Sequence, residues 1–255
     1  MRVLLIDADL AAYRSSSATE SVWDFGEDSD GPTVVTDIEE AKKSAEQMIE
    51  GYRRKLGADE VIICLSDLDG GNFRKTLAPT IYKAARAGVR RPENLVPVKR
   101  WLAEQYRSYS RPNLEGDDVA GILATHPTLI PGDKIIVSDD KDMRQIPGKL
   151  YVPRTGEKLK ITELDADRWH MRQTLTGDPT DGYKGCPRVG PKSPFVARVN
   201  EATTVAAMWS VVVEAYASKE RSEDEALLNA RLARILRWSD YDKDAKAPRL
   251  WSPPA

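Results

Sequence analysis

Residues 3–9 read VLLIDAD: four apolar residues in a row, then two aspartates separated by one alanine. An unbroken apolar run that ends at acids is the pattern of a strand buried on both faces. Such strands build parallel sheets, and parallel sheets place their ligand groups at the carboxyl ends of the strands. Residues 61–65 (VIICL), 135–138 (IIVS) and 149–152 (KLYV) repeat the pattern, and three of the four runs are followed by acids. Between the first two runs, Ile38, Ala41, Ala45, Met48, Ile49, Tyr52 and Leu56 recur at intervals of three and four. That spacing predicts an amphipathic helix over 38–56. A second helix is predicted over 116–125. Strands alternating with helices imply an α/β domain with a mainly parallel sheet flanked by helices, spanning 1–160. Residues 19–33 (TESVWDFGEDSDGPT) read as a surface hairpin or loop.

From 161 the pattern becomes helical. ITELDADRWHMRQTLTG reads as one helix capped by Thr162, followed by a Pro/Gly-rich turn and further helices to about 238–240. The 161–240 region is therefore expected to be a helical module. The tail 241–255 is polar and Pro-rich and is expected to be flexible. No internal repeat is present.

The chain has 255 residues, 41% apolar and 31% charged, with a net charge of −2. No apolar run approaches the roughly 18 residues of a membrane span. The first ten residues are too acidic for a secretion signal. Cys64 sits in an apolar run and Cys186 in a loop, so neither a disulfide nor a zinc site is expected, and a cytoplasmic setting is. The near-neutral total hides a segregation of charge. Residues 72–111 carry ten Lys/Arg against Glu93 and Glu104. A basic stretch beside an acidic constellation suits a polyanion held on one surface while cations bind another.

The acids recur where apolar runs end or helices begin: Asp7, Asp67, Glu115, Asp117, Asp118, Asp140, Asp142, Asp178 and Asp181. One or two acids complement a helix start. Three within Glu115–Asp118 exceed what a cap needs, and repulsion would make the run costly without a cation. Oxygen ligands with no histidine partner suit Mg²⁺ or Mn²⁺. Asp140 and Asp142 alternate in an extended segment and so point the same way. Asp178 and Asp181 bracket Pro179–Thr180 and also satisfy ordinary turn chemistry. Gly185-Cys186-Pro187-Arg188-Val189-Gly190-Pro191-Lys192 has the character of a hairpin between helices. Gly185 and Gly190 would let backbone N–H groups approach a phosphate, and Lys192 would add a charge. Pro79 is suited to open a helix carrying Lys83, Arg86 and Arg90 on one face, with Tyr82 beside Lys83. His126 and His170 have no ligand partner in the sequence and are assigned structural roles.

These pieces together resemble the 5′-nuclease superfamily: flap endonucleases, the 5′-nuclease domains of bacterial DNA polymerases, and short phage 5′→3′ exonucleases. The resemblance runs in order through LLIDAD, FRKTLAPTIYKAAR, EGDDVA, SDDKD and TGDPTDGYKGCPRVGPKS, over about residues 3–195. It implies a PIN-like core with a helix-hairpin-helix module, a basic arch at 72–111, and two divalent metals held by the nine acids. Asp7, Asp118 and Asp140 would be catalytic with Lys83 and Arg86, which would contact the scissile phosphate. Arg74, Tyr82 and Arg90 would contact DNA, Tyr82 by receiving a base, and the hairpin with Gly185, Gly190 and Lys192 would grip the duplex, in the family often with a bound K⁺. The implied substrate is DNA with a 5′ end, flap or nick, or an RNA–DNA hybrid, cut by a monomer in a bacterial cell or phage-infected host. Pro194 departs from the family pattern early in the helix after the hairpin. Other readings are an aspartyl-phosphate phosphatase with Asp7 as nucleophile, a PIN-type ribonuclease, and a non-catalytic DNA-junction binding module. The first leaves EGDD, the basic segment and the glycine hairpin unexplained. The second normally lacks the hairpin, and the full acid set speaks against the third.

Overall fold

A computed structural model describes residues 1–23, 33–86 and 88–254. Its centre is a six-stranded sheet in the order β5-β4-β1-β6-β7-β8. The strands are β1 (Arg2–Asp7), β4 (Glu60–Cys64), β5 (Arg107–Tyr109), β6 (Asp133–Val137), β7 (Gly148–Val152) and β8 (Glu157–Ile161). β5, β4, β1, β6 and β7 pair in parallel, and only the edge strand β8 is antiparallel. The short β5 and the polar β8 escape a reading based on apolar runs, because each stands at a sheet edge. The hairpin expected at 19–33 has paired arms, β2 (Glu20–Trp23) and β3 (Thr33–Thr36), while residues 24–32 lie outside the described residues.

Alternation along β1 shows why its apolar run is unbroken. Val3 and Leu5 enter one core and Leu4 and Ile6 the other, all four essentially inaccessible. The second core is covered by α1 (Ala8–Ala18), α2 (Ile38–Leu56) and α4 (Leu95–Gln105). Helix α2 has the predicted bounds, with Asp37 capping its start and Gly57 in the left-handed conformation ending it. The first core is covered by α5 (Gly116–Thr125) and by the chain from Ile235 to Tyr241.

A third core joins α6 (Glu163–Thr176), α7 (Pro194–Glu201), α8 (Val205–Ala217) and α9 (Glu223–Ala233). Thr162 caps α6 as expected. Pro194 is the first residue of α7 behind the Ser193 cap, a position where its missing N–H costs nothing. The tail differs from expectation. β9 (Tyr241–Asp242) pairs with β10 (Ala247–Pro248), and Trp251 meets the rings of His170 and Trp209 at 5.2 and 5.1 Å. The packing of the half-buried Trp251 ring anchors a segment that polar composition alone marks as free. Among the described residues, no helix is long and apolar enough to cross a membrane.

The C-terminal chain is packed tightly onto α5. A Cβ on Gly121 would stand 2.3 Å from the Leu236 carbonyl oxygen and 2.7 Å from Ile146 Cδ1. Gly51, in α2, has open space around the same position. We predict that Gly121→Ala lowers stability by about 1–3 kcal/mol through overpacking, whereas Gly51→Ala raises it by roughly 0.5–1 kcal/mol through helix propensity. Urea denaturation checks both, and a neutral Gly121→Ala would contradict the packing.

Candidate metal and nucleic-acid site

The sheet order reverses direction at β1, whose neighbours are β4 on one side and β6 on the other. A crevice opens beyond the carboxyl ends at such a switch point. Asp7 ends β1 there, capping α1, and accepts the Ser138 hydroxyl at 2.9 Å from the end of β6. Burial, with Asp9 and Asp140 nearby, pushes the Asp7 carboxyl up to about 6. Asp9 pairs with Lys99 at 2.7 Å and accepts the Ser66 hydroxyl, while Ser66 Oγ accepts the Gly116 N–H at 3.0 Å. Ser66, Lys99 and Ser138 are site residues that the sequence did not single out, since hydroxyls and a lone lysine carry no spacing signal.

Glu115 precedes α5 as its cap, and one oxygen from each of Glu115, Asp117 and Asp118 lies within 4.8 Å of the others. That is a donor set of hard oxygens at a spacing one divalent cation bridges. Asp117, half-buried between Asp118 and Glu115, is raised well above the usual carboxylate range by desolvation and by its two neighbours. Burial would raise Glu115 as well, but Lys83 and Arg74 outweigh it and hold the group at about 2.

Arg74 corrects an expectation. It is fully buried and touches no open surface, so it is not a direct DNA contact. Its Nη1 and Nη2 donate to the two oxygens of Asp118 at 2.7 Å each. It also donates to the carbonyls of Leu232 and Arg234 and pairs with Glu115 at 3.2 Å. Asp118, with no exposure, further accepts the Leu236 N–H at 3.0 Å. It belongs to the acid cluster, yet its visible work is to hold Arg74.

Tyr82 is corrected in the same way. It is 2% exposed, and its hydroxyl donates to Glu115 at 2.6 Å and approaches Asp181 at 3.0 Å, which leaves no ring face for a base. Nor does one helix carry Lys83, Arg86 and Arg90. The chain forms α3 (Phe73–Leu77), then turns, and among the described residues up to Arg90 only Ala84–Arg86 makes a short 3₁₀ segment. Lys83 has φ of +52°, which breaks the helix, and its N–H donates to the Asp181 carbonyl at 2.7 Å. Gly182 makes this possible, because a Cβ there would lie 2.4 Å from the Ile81 carbonyl oxygen. The Lys83 ammonium consequently pairs with Glu115 and with Asp181, 3.5 Å away, and Arg86 reaches Asp181 at 3.1 Å. Arg90 parts company with them and binds Glu20 of the β2–β3 hairpin at 2.7 Å.

The remaining acids form an adjoining group. Asp140 is exposed and accepts the Asp142 N–H at 2.8 Å. Asp142 is nearly buried, accepts Gln173 Nε2 at 2.6 Å, and is pushed up to about 7 by burial, Asp140 and Asp178. Asp178 is buried and pairs with Lys141 at 2.6 Å. Asp67 stands apart, orienting its loop by accepting the N–H groups of Asp69 and Asn113 at 3.0 and 2.8 Å. Of the hairpin residues, Gly190 and Lys192 are exposed. Gly185 is not a phosphate contact: its N–H is spent on Asn229 Oδ1 at 3.0 Å and its φ of +66° packs it against residues 175–177. Gly190 has no positive φ and open space beside it, so it tolerates a side chain sterically. His170 is buried against the Ala230 carbonyl, and His126 accepts the N–H groups of Thr128 and Leu129, both structural arrangements.

Two predictions follow from this geometry. Arg74→Ala strands Asp118 without a counter-ion, and we expect a loss of about 3–5 kcal/mol of stability, read by urea denaturation; a stability within error of wild type would return Arg74 to the list of surface contacts. The second concerns pH. Asp7 and Asp142 bind protons more tightly folded than unfolded, at about 6 and about 7 against 3.8. The metal-free fold keeps this contribution at low pH and loses it as pH rises through 6 to 7. Divalent cations replace those protons, so the rise in Tm with millimolar Mg²⁺ or Mn²⁺ should be larger at about pH 7.5 than at about pH 5.5. An equal rise at both values would detach these acids from the cation site.

Comparison with known proteins places this geometry. The model of the 5′-3′ exonuclease N-terminal, resolvase-like domain matches residues 2–169. The exodeoxyribonuclease of Enterobacteria phage T3 is 30% identical over 98% of this chain and 93% of its own length. The exonuclease of Escherichia phage T7 is 29% identical with the same coverage. The 5′-exonuclease of phage T5, solved with divalent zinc ions, superposes with a TM-score of 0.66 at 14% identity, over 91% of this chain and 89% of that one, and so shares the fold. The chain belongs to the 5′-3′ exonuclease family of the 5′-nuclease superfamily.

Proposed function

We propose that the protein is a divalent-metal-dependent 5′→3′ exodeoxyribonuclease that also cuts 5′ flaps, hydrolysing phosphodiester bonds in DNA replication or repair. The observation that carries this reading is the meeting of acids from separate chain segments around the crevice at β1, with Lys83 and Arg86 joined to them through Asp181. The family membership and the phage relatives support it. So do flap endonucleases of Shewanella, one of them 34% identical over half of this chain.

The residues present fit divalent cations. Glu115, Asp117 and Asp118 offer one cluster of oxygens, and Asp140, Asp142, Asp178 and Asp181 offer a second set beside it. Mg²⁺ is the ion we assign, with Mn²⁺ as substitute, since every donor is a carboxylate. Bound there, such ions would supply activation of a water and neutralisation of the charge on the attacking and leaving oxygens of an in-line displacement. The protein's own part is positional. Burial would lower the Lys83 ammonium, but Glu115 and Asp181 outweigh it and keep the group charged above its ordinary range. Held between Glu115 and Asp181, the charged Lys83 side chain is placed to donate to the scissile phosphate. Arg86, half exposed, supplies a second donor at the mouth of the site.

The segment 177–193, between α6 and α7, is proposed as the helix-hairpin-helix grip on the duplex, through exposed Lys184, Arg188 and Lys192 and a K⁺ at the hairpin. Cleavage of an RNA–DNA hybrid, action as a monomer and a cytoplasmic setting complete the proposal. Because Lys83 is tied to the acids and Arg90 to the β2–β3 hairpin, the two should separate catalysis from binding. We predict that Lys83→Ala lowers the single-turnover rate on a 5′-labelled flap by about 10²-fold or more. Asp117→Asn and Asp140→Asn should do the same while leaving DNA affinity in Ca²⁺ largely intact. Arg90→Ala should leave the saturated rate near normal. Wild-type rates for Lys83→Ala and Asp117→Asn together would sink the assignment.

A further inference from the structure

A cleft of about 480 Å³ lies between α5, the segment after β5 and the β9–β10 hairpin, and shares no residue with the acid site. Its floor is aliphatic: Val119, Ile122, Leu123 and Leu129. Leu129 is 43% exposed and carries that apolar surface out to the edge of the cleft. Tyr109, Trp238 and Tyr241 form the walls. Arg111, Lys243 and Lys246 stand at the rim, and none of them has a carboxylate partner among the described residues. Among the described residues no acid lines the cleft; Asp242 is engaged by Arg249 at 3.0 Å, and Asp244, in the same turn, is not part of the lining.

The cleft therefore offers an apolar pocket under a cationic rim. The aromatic walls are poor platforms for a base. Both Arg107 and Arg111 already lie against the Tyr109 ring, at 5.5 and 5.9 Å, and His126 lies against Trp238 at a centroid distance of 4.0 Å. Base stacking needs a free ring face, whereas an aliphatic floor needs only an apolar side chain to fill it. The volume suits one or two side chains, within the range of specific small sites. We propose that this cleft docks a short acidic peptide of a partner protein, with one large apolar residue seated on Val119, Ile122, Leu123 and Leu129 and flanking carboxylates paired with Arg111, Lys243 and Lys246. The apolar anchor supplies the affinity and the rim supplies orientation and salt dependence. The hairpin that carries two of the three cations belongs to the C-terminal tail, so the tail gains a binding role beyond packing.

The test uses the full chain and three labelled probes in fluorescence anisotropy: a peptide of four aspartates around one phenylalanine, the same peptide with alanine for phenylalanine, and a short oligothymidylate. The expected result is binding of the first peptide that weakens with salt and is lost with the alanine version. Leu129→Glu and the pair Lys243→Glu/Lys246→Glu should each weaken it by about tenfold or more, as for a central anchor or its paired charges. All these positions are at the surface, so the nuclease rate on a 5′ flap should be unchanged in each variant, which also reports an intact fold. Absence of peptide binding, equal binding of the two peptides, or peptide affinity unaffected by Leu129→Glu would overturn the proposal. So would oligothymidylate binding that falls with Leu129→Glu while peptide binding does not, since that would make the cleft a nucleic-acid site.

Discussion

The Arg74–Asp118 ion pair, sealed beneath the acid cluster, is the interaction on which the site's geometry depends. Taking two such charges out of water costs several kcal/mol per ion, and only good geometry with every donor used repays it. Here the guanidinium meets both Asp118 oxygens and the carbonyls of Leu232 and Arg234, and Asp118 takes the Leu236 N–H in turn. The pair therefore ties α3, the first turn of α5 and the chain that leaves α9 into one unit. Gln145 repeats the device from the other side, donating to the Ala233 carbonyl and accepting the Ile235 N–H. The stretch 232–236, whose side chains contribute nothing to the acids, becomes the floor on which they stand.

Above that floor, charge balance holds the basic segment in place. Asp181 and Glu115 belong to distant parts of the chain and both pair with Lys83. Under the proposed function, divalent cations would compete for the same oxygens, and the lysine and arginine that compensate the acids would be the groups released toward a phosphate. The same fact explains why these basic side chains do not lie on an ordinary solvated helix. The left-handed Lys83 and the close approach of Gly182 interlock residues 81–83 with 181–183, and the helix is given up to obtain that contact.

Much of the site was legible in the sequence because acids follow apolar strands, and the physics of a parallel sheet fixes where such residues go. Asp7, Asp140 and the Glu115–Asp118 run stand where the strand ends and the helix start put them. Ser66 and Ser138 were not legible, because a hydroxyl that orients a carboxylate leaves no periodic mark. Arg74 and Tyr82 were misread as substrate contacts for a related reason. A lysine- and arginine-rich segment looks the same whether a given cation faces solvent or a buried carboxylate, and the partners of Arg74 lie 41, 44, 158 and 160 residues away.

The sequence by itself determined the α/β class, the bounds of α2 and α5, the cap of α6 and the chemical type of the site, since each of these is set by local periodicity, capping or the identity of neighbouring residues. Only the tertiary structure decided which charges are exposed. It buried Arg74, sent Arg90 to Glu20 instead of to the acids, spent the Gly185 N–H on Asn229, and folded the polar tail back through Trp251. Burial and ion pairing depend on segments brought together from across the chain, and their energies exceed the local preferences that a sequence pattern records.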